Sequence, residues 1–156
     1  ETIRGNVETR VAMCNSGGLL TGVVLSEAGL IRLGITEYPV ISLDPQVFIP
    51  APGQGVIALE VLKEREDLQK ACRDISDIEQ YEKTRVEWYI VRQLGLNCGY
   101  PLGVYSAYED HKINLKMILA TQDLKQSHQA SLTVDIGDME TLNQWILSFK
   151  KTLGMT

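Results

Sequence analysis

Residues 104–136, which read VYSAYEDHKINLKMILATQDLKQSHQASLTVDI, decide the fold of the C-terminal half of this chain. Apolar and polar side chains alternate here with a period of two, which is typical of strands with one buried face. Short polar segments separate the alternating runs and predict hairpin turns. The stretch therefore predicts an antiparallel sheet of three strands, at residues 104–109, 113–119 and 130–136.

Helical patterns flank this predicted sheet on both sides. Downstream, apolar side chains at i, i+3, i+4 and i+7 predict an amphipathic helix that begins at Asp138, the apolar positions being Leu142, Trp145, Ile146 and Phe149. Upstream, the sequence Ser-Asp-Ile-Glu at residues 76–79 fits a capping box and predicts a helix that runs to about Leu94 and is closed by Gly95. We therefore expect residues 76–156 to form an α+β domain, a three-stranded antiparallel sheet packed by helices.

The first half of the chain has the pattern of an α/β structure. Two apolar runs rich in β-branched residues, 20–26 and 56–62, predict buried strands. Helical patterns occupy residues 7–14, 27–33 and 64–75. Four of the five prolines fall within residues 35–53, so this segment is expected to be mostly loop.

Composition excludes several classes of function. Fifteen Lys and Arg residues against twenty Asp and Glu residues give a net charge of −5, without the basic stripe that binds a nucleic-acid backbone. No apolar run is long enough to cross a membrane. Three widely spaced cysteines without a CxxC pair, and two histidines without companions at ligand spacing, favour neither a disulfide framework nor a metal site. A reducing cytoplasm is the expected compartment.

Arginines near a glycine turn are the first candidate site. Arg4 precedes Gly5 and Asn6, and Arg10 lies near the first turn of the helix that follows. A helix N-terminus offers free N–H groups and the positive end of the helix dipole, and guanidinium groups bind carboxylates through two parallel hydrogen bonds. Arg32, near the end of the next short helix, could join them. The pattern predicts an anion site, with solvated surface arginines as the open alternative.

Cys98 is the second candidate. It lies in the loop at residues 96–101, between Asn97 and Gly99, after the predicted long helix. Cys14 and Cys72 fall within helical patterns and are expected to be small buried apolar residues. A loop thiol is better placed for covalent chemistry, although no neighbour in sequence would activate it. An unmodified thiol therefore stays open as the alternative.

Four ordered motifs resemble the porphobilinogen deaminase (hydroxymethylbilane synthase) family. Residues 4–10 read Arg-Gly-Asn-Val-Glu-Thr-Arg, and residues 25–34 read Leu-Ser-Glu-Ala-Gly-Leu-Ile-Arg-Leu-Gly. Residues 50–55 match the family's Pro-Ala-x-Gly-Gln-Gly turn. Residues 94–102 match its cofactor loop around a cysteine, which is Cys98 in this sequence. Their order and spacing cover nearly the whole chain, which makes the resemblance specific to the family's C-terminal portion.

The resemblance implies a fold and a division into domains. Residues 1–49 are expected to be the latter part of a second, α/β domain, a remnant of a periplasmic-binding-protein-like architecture. Residues 50–75 are expected to be a crossover strand and helix that belong to the first domain of the intact enzyme. Residues 76–156 are expected to be the C-terminal α+β domain that carries the cofactor cysteine.

The resemblance also implies a chemistry. The family condenses four porphobilinogen units with loss of ammonia into the linear tetrapyrrole hydroxymethylbilane. It does so on a dipyrromethane cofactor held by a thioether, here implied at Cys98. The acetate and propionate groups of each ring need cations and polar contacts, which the matching motifs supply at Arg4, Arg10, Arg32, Asn6, Gly29 and Gln54. The catalytic aspartate of the family lies in the first domain, so no catalytic residue is assigned in this chain.

Partners follow from the same resemblance. The implied partners are porphobilinogen, the growing pyrrole chain and the remaining N-terminal part of a cytoplasmic transferase of porphyrin and heme biosynthesis. The family is expected to be monomeric, and the chain is expected to be an inactive fragment, for which self-association through exposed strand edges is left open.

Two departures keep a second reading open. The family's Gly-Gly before the cysteine is Leu96-Asn97 here, and the arginine that follows Glu87 in the family pattern is Trp88. The alternative is a non-catalytic anion-binding module that retains the fold and the arginines. A purely structural interaction domain is a third reading, against which the three arginines argue.

Overall fold

The computed structural model describes residues 2–15, 20–97 and 99–154. The chain divides into two compact units, residues 1–43 and residues 44–156. Across the described ranges it is a small α/β structure with five α-helices and one three-stranded antiparallel sheet. None of the helices in these ranges has the length and apolarity that a bilayer crossing demands.

The elements follow one another in a simple order. The first unit contains two helices, α1 (Val7–Asn15) and α2 (Glu27–Leu33). The second unit contains two helices, three consecutive strands and a final helix: α3 (Glu66–Ile75), α4 (Ile78–Leu94), β1 (Leu102–Glu109), β2 (Lys112–Ala120), β3 (Ser127–Asp135) and α5 (Met139–Thr152).

The sheet has the strand order β1-β2-β3, with antiparallel pairing throughout, which confirms the predicted sheet. In its register Val104 lies opposite Met117, and Leu115 lies opposite Leu132. The first hairpin closes through Asp110 and His111, whose φ angles of 45° and 65° both fall in the left-handed region. Two such residues define the type I′ turn, whose twist matches that of the strands it joins.

The core lies on one face of the sheet, under α4 and α5. Alternate residues of β2 are buried there, and Met117 has no exposed surface. The two helices contribute apolar side chains that are almost fully buried, namely Ile90, Leu94, Leu142, Ile146 and Phe149. Three of the four positions in the predicted apolar stripe of the last helix are therefore in the core, and Trp145 packs against it.

The second unit's long helix begins one residue later than predicted. Its N-cap is Asp77, whose Oδ1 accepts a hydrogen bond from the N–H of Gln80 at 2.9 Å. Ser76 is not the cap, because its hydroxyl donates to the carbonyl of Cys72 at 2.7 Å and so serves the end of α3. Gly95 closes α4 in the left-handed conformation, with φ of 69°, as predicted.

The predicted strand at residues 20–26 is wrong, whereas residues 56–62, expected as a strand of the first domain of the intact enzyme, have no strand partner in the described part of the chain. Neither residues 20–26 nor residues 56–62 pair with another strand in the described part of the chain. Apolar side chains are largely exposed in residues 56–62, with Ile57 at 84%, and in residues 20–26 they are half-buried except Val24, which is 77% exposed. Without a neighbouring strand to accept and donate backbone hydrogen bonds, an apolar run is extended chain but not a β-strand.

The first unit is built around its two short helices. Val11 is its buried apolar residue among those described, and an open cavity of about 760 Å³ lies between α1 and residues 21–43. The Ser26 hydroxyl caps α2 by accepting from the N–H of Gly29. Gly34 ends the helix in the left-handed conformation. The helices predicted at residues 7–14 and 27–33 are thus confirmed.

Candidate functional site

The loop before α1 is shaped by a glycine and an arginine. Gly5 has a φ of +121°, which side-chain-bearing residues rarely adopt, and its carbonyl accepts a hydrogen bond from Arg10 Nε at 2.7 Å. The first helical hydrogen bond runs from the N–H of Arg10 to the carbonyl of Asn6 at 3.0 Å. The guanidinium of Arg10 is therefore held back over the start of its own helix, where N–H groups attract anions.

Gly29 of helix α2 lies next to the first residue of helix α1. A Cβ added at Gly29 would lie 3.9 Å from the Cγ2 atom of Val7, the first residue of α1. Arg32 follows Gly29 by three residues on α2, and residues at this spacing are neighbours on a helix surface. The structure thus brings Gly29 against the residue that follows Asn6, and Arg32 lies one turn further along α2.

The charges of the arginines are available to a ligand. Arg4 and Arg32 are exposed, and Arg10 is half-buried. None of these three residues forms an ion pair with any carboxylate in the part of the chain that the structure describes. Arg10 donates to the carbonyl of Gly5 through Nε alone, so its two terminal nitrogens, like the guanidinium groups of Arg4 and Arg32, can bind a carboxylate. The first unit therefore carries cationic groups suited to a ligand with several carboxylates.

Gln54 lies in the second unit, in a double turn at residues 50–55. The N–H of Gln54 donates to the carbonyl of Ala51 at 3.0 Å, and the N–H of Val56 donates to the carbonyl of Gly53 at 3.2 Å. Gly53 and Gly55 have φ angles of 71° and 80°, which fit the third position of type II turns. The side chain of Gln54 is exposed at the mouth of this double turn.

A polar cavity of about 380 Å³ lies beside the double turn, and Gln54 lines it. Residues of α4 and β1 form its other walls, among them Lys83, Glu87 and Tyr108. Burial raises the pKa of the Tyr108 phenol, and nearby carboxylates on α4 raise it further. The phenol therefore stays protonated at neutral pH, as a neutral hydrogen-bonding group in this wall.

Cys98, the predicted attachment residue, lies outside the described residues. Among the described residues next to it, the N–H of Gly99 donates to the side-chain oxygen of Asn97 at 3.0 Å. Cys14 and Cys72 are free thiols that are only half-buried, so the expectation that they are buried apolar residues is wrong. Both lie on short helices, α1 and α3, that contribute little to a core.

Glu87 is the residue that the sequence analysis missed. It is only 7% exposed, and its carboxylate accepts hydrogen bonds from both the double turn and β1. A signal was present in the sequence, because Glu87 shares the i, i+3, i+7 stripe of α4 with the buried residues Ile90 and Leu94. A carboxylate on an apolar stripe must find hydrogen-bond donors when the stripe is buried.

Comparison with known proteins gives one family. The family model "Porphobilinogen deaminase, dipyromethane cofactor binding domain" matches residues 1–70. These residues contain the three arginines, Gly29 and the double turn. The matched region thus includes every predicted cofactor contact except the attachment cysteine.

Curated relatives extend the similarity over most of the chain. The porphobilinogen deaminase of Thermus thermophilus is 38% identical over 90% of this chain and 46% of its own length. The probable porphobilinogen deaminase of Thermoplasma volcanium is 36% identical over 94% of this chain and 48% of its own length. The porphobilinogen deaminase of Clostridium novyi is 33% identical over 90% of this chain and 47% of its own length. The chain spans about half the length of these relatives.

Proposed function

We propose that this chain is part of a porphobilinogen deaminase, a transferase that joins four porphobilinogen units with loss of ammonia into hydroxymethylbilane. The observation that carries the proposal is the family match over residues 1–70, the segment that holds three arginines without an ion pair to any described carboxylate. Porphobilinogen and the growing pyrrole chain carry acetate and propionate groups, and these are the anions that such arginines select.

The proposed site residues divide by role. Arg4, Arg10 and Arg32 hold carboxylates, and this role is supported because none of them forms an ion pair within the described residues. Asn6 and Gly29 line the same helix start, where the lack of a side chain at Gly29 leaves room for a ligand to approach the backbone. Gln54 supplies an exposed amide from the double turn. No residue of this chain is assigned the catalytic proton transfers.

The proposed cofactor is dipyrromethane, attached as a thioether to Cys98. When bound, it supplies a free pyrrole position as the nucleophile for chain growth. The residues of this chain fit such a group, because its carboxylates match three arginines that form no ion pair among the residues that the structure describes. The protein contributes to this chemistry by binding those carboxylates, which keeps the ring system in one orientation.

The domain assignment is part of the proposal. Residues 1–49 would belong to a periplasmic-binding-protein-like α/β domain, residues 50–75 to a crossover into the first domain, and residues 76–156 to the C-terminal domain. The exposed apolar residues of segment 56–62 support a partner outside this chain, which we take to be the remaining part of the enzyme. A cytoplasmic location suits the proposed biosynthetic role.

Intact-mass spectrometry under denaturing conditions tests the proposal on the protein expressed from its complete gene. We expect an added mass that matches a dipyrromethane, and Cys98→Ser should abolish it. Cys72→Ser is the matched control and should leave the added mass unchanged. The wild-type protein should also consume porphobilinogen, and the Cys98→Ser variant should not.

An unmodified protein that still binds carboxylate-bearing pyrroles would contradict the proposal. It would indicate the alternative, a non-catalytic anion-binding module, because a binding module has no use for a covalent cofactor.

A further inference from the structure

Glu87 is a buried carboxylate for which the proposed chemistry gives no role. It occupies the inner stripe of α4, and an ionised side chain there is costly unless donors surround it. Within residues 2–15, 20–97 and 99–154 it forms no ion pair. Hydrogen bonds from neutral groups must therefore account for its burial.

Three donors meet the two oxygens of Glu87. Oε2 accepts from the backbone N–H of Gly53 at 2.7 Å. Oε1 accepts from the hydroxyl of Ser106 at 2.6 Å and from its backbone N–H at 3.2 Å. Hydrogen bonds to an ionised acceptor are stronger than those between neutral groups. Glu87 thus joins the double turn to β1 through one side chain.

The double turn needs this acceptor because of its own geometry. Its first turn uses the N–H of Gln54 and the carbonyl of Ala51, which leaves the N–H of Gly53 without a partner inside the turn. The next residue of α4 holds Gly53 from a second side, because a Cβ at Gly53 would lie 3.0 Å from the indole Nε1 of Trp88. Two consecutive residues of α4 therefore fix Gly53 in place.

The free edge of β1 completes the attachment. The N–H of Val104 donates to the carbonyl of Pro50 at 2.9 Å, and the N–H of Ser106 donates to Glu87. The carbonyl of Pro50 and the carboxylate of Glu87 thus accept hydrogen bonds from two alternate N–H groups along the free edge of β1. The turn leaves this edge with Gln54 at its tip, and Gln54 and Glu87 line the same cavity.

We propose that Glu87 is a positioning residue, which holds the double turn so that the amide of Gln54 is presented to the cofactor. The inference rests on the proposed function, because it gives Gln54 its ligand. Glu87 itself touches neither the cofactor nor a reacting atom and acts through the N–H of Gly53. Trp88, which stands where the family pattern has arginine, takes part in this positioning by packing against Gly53.

Glu87→Gln tests the attachment without any assay of activity. An amide has one oxygen, so it cannot accept from Gly53 and from Ser106 together, and one backbone N–H is left facing an NH₂ group. Hydrogen–deuterium exchange should show peptides over residues 50–56 exchanging about tenfold faster, with β2 unchanged. Ser106→Ala is the matched control, because it keeps both backbone N–H donors to Glu87 and should change the exchange of this turn far less.

A double-mutant cycle on the complete protein tests the route through Gln54. We expect Glu87→Gln and Gln54→Ala each to lower kcat/KM for porphobilinogen about tenfold, and the double variant to be no worse than Gln54→Ala alone. A merely structural role for Glu87 would make the two effects multiply. If Glu87→Gln does not fold, Gly53→Ala disturbs the same contact from the turn, at a φ of +71° and against Trp88, and enters the same cycle.

The outcomes separate the two proposals. Unchanged exchange over residues 50–56 in Glu87→Ala, which leaves no acceptor for the Gly53 N–H, or multiplicative losses in the cycle, would overturn the positioning role. A wild-type protein without added cofactor mass or porphobilinogen consumption would overturn the proposed function, and with it the role of Gln54. The exchange measurement would then still decide whether Glu87 fixes the turn.

Discussion

Strand β2 and residues 56–62 are both predicted strands, and their surroundings in the structure are opposite. Strand β2 alternates apolar and polar side chains, and residues 56–62 are a nearly continuous apolar run. Ile113 in β2 is 2% exposed, whereas Ile57 is 84% exposed. Strand β2 pairs with β1 on one side and β3 on the other, and residues 56–62 pair with no strand in the described ranges. Apolar content therefore favours extended backbone, but a strand forms only where neighbours satisfy its hydrogen bonds and a second layer covers its face.

Helices α3 and α4 repeat this contrast. Helix α4 buries three residues of its inner stripe against the sheet. Helix α3 has an apolar face that includes Leu68 and Ile75, yet none of its residues is buried. Most helical stability in proteins comes from packing of such a face. Strand β2 and helix α4 thus find packing partners within this chain, whereas residues 56–62 and helix α3 do not. Substitutions in the two regions should therefore change the free energy of unfolding by different amounts.

Matched isoleucine substitutions should give the largest difference. Ile113→Ala removes methyl groups from the closed core and should lower the free energy of unfolding by about 2–5 kcal/mol. Ile57→Ala removes the same groups from an exposed side chain and should change the free energy of unfolding by less than about 0.5 kcal/mol. Denaturant titration of both variants checks the pair. Equal losses would show that residues 56–62 are as closely packed as β2.

Gly103→Ala should lower the free energy of unfolding by a smaller amount. It tests the packing of the segment before Pro50 against strand β1. A Cβ at Gly103 would lie 2.7 Å from the backbone oxygen of Ile49 and 2.9 Å from Ile118 Cγ2, so the side chain cannot fit without movement. Overpacking of this kind costs about 1–3 kcal/mol. Thermal unfolding measures it, with Gly22→Ala as the control, since a Cβ there meets nothing within 4 Å. A neutral Gly103→Ala would mean that residues before Pro50 do not pack on this face.

The cap of α5 should give the smallest effect, one that depends on pH. Asp138 accepts hydrogen bonds from the side chain and the N–H of Thr141, and these lower the pKa of its carboxyl below the usual 3.8. Because the folded pKa is depressed, this stabilisation is present above pH 3.8 and is lost as the pH falls through the lowered value. Asp138→Ala should therefore be less stable than the wild type at neutral pH, and the difference should shrink in acid.

Asp138→Asn is the control for this cap. An asparagine retains the capping oxygen without a titrating group, so its stability relative to Asp138→Ala should change little with pH. Helix α3 has no side-chain cap at Arg65, which makes α5 the better-defined start of the two. A difference between wild type and Asp138→Ala that persists unchanged in acid would contradict the role of the carboxylate charge.

Much of the candidate site could be predicted because its parts are local in sequence. Residues 4–10 contain a glycine, a helix start and two arginines, and the contact from Arg10 to Gly5 spans only five residues. Glu87 could not be assigned its partners in the same way. Gly53 lies 34 residues away and Ser106 lies 19 residues away, so only the packing of α4 between the double turn and β1 brings them together.

The sequence by itself determined the helices, the three-stranded sheet and the turns between its strands, because period, capping residues and turn residues act over a few neighbours. It also carried the motifs that resemble those of porphobilinogen deaminases. Only the tertiary structure decided which apolar runs are strands, that Asp77 rather than Ser76 caps α4, and that Glu87 holds the double turn. Each of these depends on whether a group distant in the chain supplies a hydrogen bond or covers an apolar face, and such contacts form only when the chain has folded.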